Sequence, residues 1–339
     1  MSGGPRWISE ADVVAALDMG AAIAALRDGL AAEARGDATN MVKTHAVWGT
    51  GHTLHAIGAT FPGDGFVGTK TWAHTAGGAE PLLVLFRAED GGVEAIIEAF
   101  ALGQLRTAAV SGLATDLLAA EGASVLAIIG TGKQALPQVA AVAAVRPLAE
   151  VRVFSPDPDH RAAFARRVEA ELGLPAVAVV SAAAAVDGAG VVTLATRATT
   201  PFLDSRMATS GSHINAIGAI TPERAEFVPD VLERCDVVTA DSVDQARSLS
   251  SELRTHFTGQ DARHSWDRVI PLHTLVADVA GRPPGADLTL CKAMGMGISD
   301  LALGLAVLRH CREDQLRPRT EVPARVRVPL RLRTVRSVR

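Results

Sequence analysis

The stretch SVLAIIGTGKQALPQVAAVAAVRPLAEVRVFS, residues 124–155, decides the fold predicted for this chain. Residues 125–129 form a short apolar run, which is typical of a strand covered on both faces of a parallel sheet. A glycine turn follows, residues 133–145 have the alanine-rich pattern of a helix, and a second apolar run begins at Val151. The stretch therefore predicts a strand, a crossover helix and a second parallel strand.

The turn in this stretch has the spacing of a dinucleotide-binding loop. Gly130 permits a tight turn, Gly132 lets a pyrophosphate approach the backbone, and Ala135 is small enough to pack the helix on the strand. The free N–H groups at the start of the helix favour phosphate. We therefore predict a dinucleotide cofactor, bound by Gly130, Thr131, Gly132, Lys133 and Gln134.

The second strand of the unit ends at Ser155, Pro156 and Asp157, where this type of fold contacts the cofactor ribose. An acidic residue there binds the ribose hydroxyls of NAD, whereas a nearby arginine accommodates the extra phosphate of NADP. Asp157 would repel that phosphate if it pointed inward, and His160 or Arg161 could attract it. The choice between NAD(H) and NADP(H) stays open at this stage, with a slight preference for NAD.

Composition narrows the class of protein. The chain has 339 residues, a net charge of −4 and 21% charged residues, which predicts a soluble protein of two domains without a nucleic-acid partner. No apolar run is long enough for a membrane span and the first residues lack a signal-peptide pattern, so we expect a cytoplasmic protein with no membrane partner. The absence of tyrosine excludes short-chain dehydrogenases and aldo-keto reductases, which need a tyrosine hydroxyl as proton donor.

The cysteines do not indicate a disulfide framework or a zinc site. Cys235, Cys291 and Cys311 lie far apart, without a CxxC pair and without a histidine at ligand spacing. We therefore expect buried, unreactive thiols and predict no metal site.

The remaining segments divide into two kinds. Strands at 66–72, 81–86 and 93–98, the last two joined by a hairpin turn, predict a mixed, largely antiparallel unit in the first third, and residues 102–121 predict a long helix. After residue 155, predicted strands at 176–180, 191–195, 212–219 and 237–240 alternate with helical patterns, which is typical of a doubly wound parallel sheet.

Residues 283–310 predict a glycine-broken turn and a long helix. The arginine-rich tail, 312–339, predicts a surface strand or frayed end in preference to a polyanion-binding arm.

Several blocks of the sequence together resemble the ornithine cyclodeaminase and mu-crystallin family. They are VGTKTWA, LRTAAVSGLAT, IIGTGKQA, VVTLATRATTPFL, GSHINAIGA and GRPPGADLTLCKAMGMGISDLA. The resemblance implies an α/β fold: a Rossmann-type doubly wound domain at 119–289, and a mixed α+β domain for substrate binding and dimerisation at 1–118 and 290–339. It also implies a homodimer that acts on a small amino acid or cyclic imino acid.

The resemblance assigns roles to individual residues. Arg106 corresponds to the family's carboxylate-binding arginine, Lys70 to its active-site lysine, and Lys43 stands where the family has a second arginine. These cations suit a substrate carboxylate, although lysine lacks the bidentate fork of arginine. The resemblance also implies that Thr196 and Ile217 line the nicotinamide side of the crevice.

One departure from the family affects the predicted reaction. Ile220 occupies the place of an aspartate that resembles a general base in the cyclodeaminases, and isoleucine cannot act as one. Glu223, Glu226 and Asp230 follow closely, and we expect them to be solvent-exposed rather than to replace it.

The predicted function is therefore an NAD(P)-dependent oxidoreductase that reduces an α-imino acid or cyclic ketimine, or oxidises the corresponding amino acid. An ammonia-releasing cyclodeaminase acting on ornithine or lysine is one alternative. A catalytically silent dinucleotide-binding protein of the mu-crystallin type is another.

Overall fold

The computed structural model describes residues 5–279 and 281–313. Its first sheet is built from the N-terminal third of the chain. The strands are β1 (Arg6–Ile8), β2 (Thr39–Asn40), β3 (Thr44–Trp48), β4 (His52–Phe61), β5 (Phe66–His74), β6 (Leu82–Arg87) and β7 (Val93–Glu98). Their order is β1-β7-β6-β5-β4-β2, with β3 paired to β4, and only the β1–β7 pair among them is parallel. This confirms the mixed, largely antiparallel unit.

The second sheet is parallel and contains the stretch that decides the fold. Its strands are β8 (Val125–Ile129), β9 (Glu150–Phe154), β10 (Ala176–Ala178), β11 (Val191–Leu194), β12 (His213–Ala216), β13 (Cys235–Ala240), β14 (Val269–Pro271) and β15 (Leu288–Lys292). The order is β10-β9-β8-β11-β12-β15-β13-β14. Every pair in it is parallel, so the predicted α/β class is confirmed.

Helices cover both sheets. They are α1 (Glu10–Ala16), α2 (Met19–Ala34), α3 (Phe100–Leu118), α4 (Ala135–Val145), α5 (Pro158–Leu172), α6 (Ala182–Val186), α7 (Val243–Leu249), α8 (Ser251–His256), α9 (Leu272–Ala277) and α10 (Gly297–Glu313). Three short 3-10 helices occupy Pro62–Asp64, Pro229–Arg234 and Trp266–Arg268. Alternate residues of β8 enter different cores: Leu126 packs with Val139 of α4, and Ala127 packs with Val186 of α6. The parallel sheet is therefore covered on both faces, as its apolar strands predict.

The last helix returns to the first sheet. α10 packs against α2, α3 and β4, and its core residues belong to the same cluster as those of the antiparallel sheet. The approach is close at its first residue, because a Cβ added to Gly297 would lie 1.8 Å from the carbonyl oxygen of Gly58. Only glycine fits there, and this contact brings the start of α10 against β4 of the first sheet.

The prediction for residues 283–310 was incomplete. It contained a turn and a helix, whereas Leu288–Lys292 form a fully buried strand between β12 and β13. The strand sequence LTLCK contains Thr289 and the buried Lys292, so it lacks the continuous apolar run that marks a buried parallel strand. The predicted domain boundary between 289 and 290 falls inside this strand, and the division into two domains stays a prediction.

The predicted strand-like tail lies outside the described residues, except for its first positions, which end α10. In the ranges that the structure describes, no helix has both the length and the apolar character needed to cross a membrane. The three cysteines are buried and free, and burial raises the pKa of the Cys235 thiol to about 12.

Candidate active site

A cavity of about 590 Å³ lies at the carboxyl ends of the parallel strands, where α3, β4 and β5 of the other unit face them. Crevices at this edge are the usual ligand sites of open α/β sheets. The cavity brings together seven of the predicted residues: Lys43, Arg106, Gly132, Lys133, Gln134, Thr196 and Ile217. It is also lined by Ile220, Asp241 and the segment Ala293 to Gly295.

The glycine turn has the shape that a dinucleotide requires. Gly130 has a φ of 108°, its N–H donates to the carbonyl of Phe154 at 2.8 Å, and a Cβ there would lie 2.4 Å from the carbonyl oxygen of Ala195. No heavy atom lies within 4 Å of the place where a Cβ of Gly132 would stand. The Oε1 atom of Gln134 is buried and has no hydrogen-bond partner among the described residues. The turn therefore has open space beside Gly132 and an unsatisfied acceptor on Gln134. Both features suit the binding of a polar group.

The tip of β9 lies beside this turn, because Ile129 of β8 pairs with Phe154 of β9. Ser155, Pro156 and Asp157 follow directly but are not among the residues that line the cavity. Asp157 caps α5: its carboxylate accepts from the backbone N–H groups of Asp159 at 2.8 Å and His160 at 3.0 Å. These hydrogen bonds, that of His160 above all, hold the pKa of Asp157 below its ordinary value, so this carboxylate is ionised. The guanidinium of Arg161 lies at the same tip and donates to the carbonyls of Ser155 at 3.1 Å and Pro156 at 3.3 Å.

The predicted cations Lys70 and Arg106 meet at a buried carboxylate. Nζ of Lys70 donates to Oδ1 of Asp300 at 2.5 Å, and Nε of Arg106 lies 3.3 Å from the same oxygen. Lys70 is 4% exposed and Asp300 is fully buried, whereas Arg106 reaches the cavity. Burial lowers the pKa of Lys70 to about 8, although Asp300 opposes this shift. Lys70 can therefore exist as cation or amine near neutral pH.

Two further charged residues of the cavity are Lys43 and Asp241. Lys43 lines the cavity, and burial, followed by the charge of Arg106, lowers the pKa of Lys43. Asp241 comes directly after β13 and accepts from the backbone N–H groups of Met294 at 2.7 Å and Gly295 at 2.8 Å. Burial raises the pKa of Asp241. Neither Asp241 nor Asp300 was predicted from the sequence, although the position of Asp241 at a strand end is one where parallel sheets place functional residues.

A buried hydrogen-bond chain fixes α3, the helix that carries Arg106. His213 contacts the Thr289 hydroxyl at 2.9 Å through Nδ1 and the Asn215 amide oxygen at 3.1 Å through Nε2. The Asn215 amide then donates to the hydroxyl of Thr115 on α3 at 2.9 Å. Burial lowers the pKa of His213 to about 3, so the imidazole is neutral and acts in packing.

The expectation for the acidic residues after Ile220 was wrong for one of the three. Glu223 and Asp230 are exposed, but Glu226 is fully buried. Its carboxylate accepts from the backbone N–H groups of Thr196 at 2.7 Å, Gly218 at 2.8 Å and Ala219 at 3.1 Å. Glu226 therefore joins the ends of β11 and β12 beneath the cavity, because unpaired N–H groups of that buried backbone require an acceptor.

Glu226 belongs to a larger buried charge network. Lys292 is fully buried with Nζ 3.2 Å from the carboxylate of Glu252, and the backbone N–H of Glu226 donates to Glu252 at 3.1 Å. Burial raises the pKa of Glu226, and the charge of Lys292 opposes that shift. Ile220 itself lines the cavity, so an apolar side chain stands where the resemblance places an acid.

A parallel sheet, a glycine turn at its carboxyl edge and a cationic cavity above it define an α/β protein of the dinucleotide-binding class. The chain belongs to the ornithine cyclodeaminase/mu-crystallin family, whose model matches residues 8–315. This confirms the resemblance derived from the sequence blocks.

Individual relatives include imine reductases. A Δ(1)-pyrroline-2-carboxylate reductase of Bacillus cereus (strain ZK / E33L) is 29% identical over 61% of this chain and 63% of its own length. The iminosuccinate reductase of Paracoccus denitrificans is 31% identical over 70% of this chain and 72% of its own. A crystal structure of the Paracoccus enzyme in complex with NAD+ has a TM-score of 0.85, with 26% identity over 92% of this chain and 98% of that one. The matched region is thus less than two thirds of the Bacillus protein.

Proposed function

We propose that the protein is an NAD(H)-dependent oxidoreductase that reduces an α-imino acid or cyclic ketimine, or oxidises the corresponding amino acid. The observation that carries this proposal is the meeting of Lys70 and Arg106 at Asp300, beside a cavity that also contains the glycine turn. The relatives named as imine reductases support the reaction class.

In this proposal the cations of the first unit bind the substrate. Arg106 and Lys43 reach the cavity and attract the substrate carboxylate, and guanidinium geometry favours a bidentate contact. Holding the carboxylate there fixes the position of the neighbouring C=N carbon, which raises the rate by proximity. A dinucleotide bound in the cavity would supply the hydride.

Reduction of the C=N bond also needs a proton at nitrogen, and Lys70 is the proposed donor. Its pKa of about 8 means that Nζ is largely protonated at neutral pH but gives up the proton readily. Asp300 stabilises the cation and holds Nζ in place. In the oxidation direction the neutral amine of Lys70 accepts the proton from the substrate ammonium.

The cofactor would be held by Gly130, Thr131, Gly132, Lys133 and Gln134 at its phosphates, and by Thr196 and Ile217 at the nicotinamide. Ser155, Pro156 and Asp157 would lie nearest its ribose. The ionised Asp157 at the tip of β9 supports NAD(H) over NADP(H), because it repels a phosphate. The NAD+ complex of the Paracoccus relative points in the same direction.

The apolar character of Ile220 supports reduction over cyclodeamination. Ring closure with ammonia release needs a base near the substrate amine, and Ile220 lines the cavity without offering one. The buried Glu226 accepts four hydrogen bonds, from three backbone N–H groups and the Thr196 hydroxyl, so its carboxylate is already occupied.

We also propose that the protein forms a homodimer through the first unit. Every residue of β3 is exposed, and apolar side chains protrude around the β3–β4 hairpin at Met41, Val42, Val47, Trp48 and Leu54. Exposed apolar clusters of this kind usually mark an interface. The cytoplasmic location and the absence of nucleic-acid and membrane partners stay predictions.

The decisive test is oxidation of NADH with Δ1-pyrroline-2-carboxylate and Δ1-piperideine-2-carboxylate. We expect turnover by the wild type and its loss in Arg106→Ala, with Arg166→Ala, an exposed arginine of α5, unchanged. Full turnover by Arg106→Ala contradicts the proposed role of Arg106. NADH binding without turnover on either imine favours the silent binding protein.

A further inference from the structure

A cluster of potential metal ligands lies apart from the residues that line the catalytic cavity. Glu233 is in the 3-10 helix Pro229–Arg234, His256 ends α8, and His264 is in the following loop. One ligand atom from each of the three lies within 4.8 Å of the others. Oε1 of Glu233 is 3.3 Å from Nε2 of His264 and 3.6 Å from Nδ1 of His256. Three donor atoms from two segments of chain thus converge on one point.

The state of His256 is unusual for a structural histidine. His256 is only 5% exposed. Its Nε2 has no hydrogen-bond partner in the part of the chain that the structure describes. Nδ1 of His256 lies 3.6 Å from Oε1 of Glu233, so the imidazole presents this ring nitrogen to the cluster.

His264 is oriented by a second carboxylate. Its Nδ1 lies 2.8 Å from Oδ1 of Asp261, which also accepts from the backbone N–H groups of Arg263 at 2.8 Å and His264 at 3.0 Å. An Nδ1–H donated to Asp261 leaves the lone pair of Nε2 directed at Glu233. A carboxylate that fixes the tautomer of a histidine is the usual outer partner of a metal-binding imidazole.

The surroundings can accommodate a cation. The cluster borders a depression of about 480 Å³ whose other walls include Asp230, Thr255 and Gln260. The charge of Arg268 also acts on His256, and the Arg268 guanidinium donates to the carbonyls of Cys235 at 2.9 Å and Arg263 at 3.3 Å. Two carboxylates, Glu233 and Asp261, offset that charge.

We propose that Glu233, His256 and His264 form a site for a divalent transition metal, Zn²⁺ in the first place. Two imidazole nitrogens and one carboxylate oxygen are a ligand set that suits zinc, and a water molecule would complete four-fold coordination. The histidines are eight positions apart and the glutamate precedes α8, so no short sequence motif indicated this site. The site is independent of the proposed reductase activity and needs no change to it.

A bound ion would link two segments of chain that lie beneath the cavity of the candidate active site. His256 is one helical turn after Glu252, the partner of Lys292 and of the Glu226 backbone, and Glu233 follows Glu226 in the chain. Joining Glu233 to His256 therefore ties together the two segments that carry Glu226 and Glu252. A ligand that binds only the folded chain raises its stability, so the ion should raise the midpoint of thermal unfolding.

The test uses the full chain freed of metal with a chelator and titrated calorimetrically with Zn²⁺ alone, with Co²⁺ as the spectroscopic probe of tetrahedral coordination. We expect one ion per chain, with affinity lowered at least about tenfold in Glu233→Gln and His264→Ala, and about 10- to 100-fold in Asp261→Asn. His74→Ala, which removes an exposed imidazole of β5, serves as the matched control and should bind as the wild type does.

Circular dichroism identifies any variant that does not fold. If His264→Ala does not fold, the zinc affinity of Glu233→Gln, which keeps the side-chain shape, tests the proposal. Absence of zinc binding overturns the proposal and leaves an ion-paired cluster only. Equal binding by the wild type, Glu233→Gln and His264→Ala overturns it as well, because the ion then binds elsewhere. NADH oxidation is not a readout here, so the outcome does not depend on the proposed reaction.

Discussion

Nζ of Lys70 lies 2.5 Å from Oδ1 of Asp300, although the two residues are 230 positions apart. One is in β5 of the antiparallel sheet and the other is in the first turn of α10. Both are almost completely buried, and Arg106 shares the same carboxylate. The carboxylate of Asp300 therefore allows the buried Lys70 to be protonated although the positive charge of Arg106 is close to it.

Removing Asp300 should therefore destabilise the fold as well as the site. Asp300→Asn leaves the buried Lys70 without its counter-charge, and breaking a buried pair of this kind typically costs about 3 to 5 kcal/mol. Urea unfolding measures the loss. The double variant Lys70→Met with Asp300→Leu, which removes both charges, should lose less than the sum of the single variants Lys70→Met and Asp300→Leu. Strict additivity would show that the two side chains do not interact.

The pH dependence of imine reduction should follow Lys70. Its pKa of about 8 lies below the ordinary value of 10.5, so the protonated form is present below pH 8 and is lost above it. We expect kcat/KM for reduction to fall as the pH rises through about 8, and oxidation of the amino acid to rise over the same range. Steady-state rates across this range measure it. In Lys70→Arg, whose guanidinium stays charged, the step near pH 8 should disappear; a step retained there belongs to another group.

The same shift predicts a stability effect of defined sign. Between about pH 8 and 10.5 the unfolded chain holds a proton on Lys70 that the folded chain has released. Stability rises with pH wherever the unfolded state binds more protons, so Lys70 should increase the free energy of unfolding across this window. Urea unfolding of the wild type and Lys70→Met at several pH values isolates this contribution. A difference between them that stays constant with pH would contradict the lowered pKa.

Glu226→Gln should weaken cofactor binding and stability together. The glutamine amide replaces an acceptor oxygen by a donor that faces backbone N–H groups, and each unsatisfied buried group costs about 1 to 3 kcal/mol. Because the lost contacts hold Thr196 and Gly218 at the cavity, the KM for NADH should rise more than kcat falls. Glu223→Gln, an exposed neighbour, is the control. Equal behaviour of the two variants would show that Glu226 does not position the strand ends.

Ile220→Asp tests the identity of that position. The new carboxylate would enter the cavity, and ammonia release from ornithine, measured with catalytic amounts of NAD+, should rise above the wild-type level. Ile220→Asn, which has nearly the same shape without the charge, should not gain this activity. A gain in both variants would trace the effect to cavity size rather than to a base.

The fold and the cationic residues of the candidate site could be predicted from the sequence, whereas the buried acidic residues could not. Val125 to Ile129 and the turn after them specify the parallel unit by short-range patterns, and Arg106 and Lys70 were found through the family blocks. Asp300 could not be predicted, because its partners Lys70 and Arg106 are distant in sequence and no local pattern in α10 indicates them. Glu226 was predicted wrongly for a related reason: acidic residues in loops are usually exposed, and the N–H groups of Thr196 and Gly218, just after β11 and β12, explain its burial.

The central claim is that a nicotinamide dinucleotide binds over the glycine turn, and calorimetric titration of NADH into wild type and Gly132→Val tests it most directly. A Cβ at Gly132 meets nothing within 4 Å, so the variant should fold as the wild type does while its side chain fills the space needed by the phosphates. Gly122→Val, at a glycine with equally open surroundings ahead of β8, is the control. We predict that NADH binds the wild type and Gly122→Val alike and binds Gly132→Val at least about tenfold more weakly, a loss of about 1.4 kcal/mol. No NADH uptake by the wild type, or equal affinity in Gly132→Val, would contradict the claim.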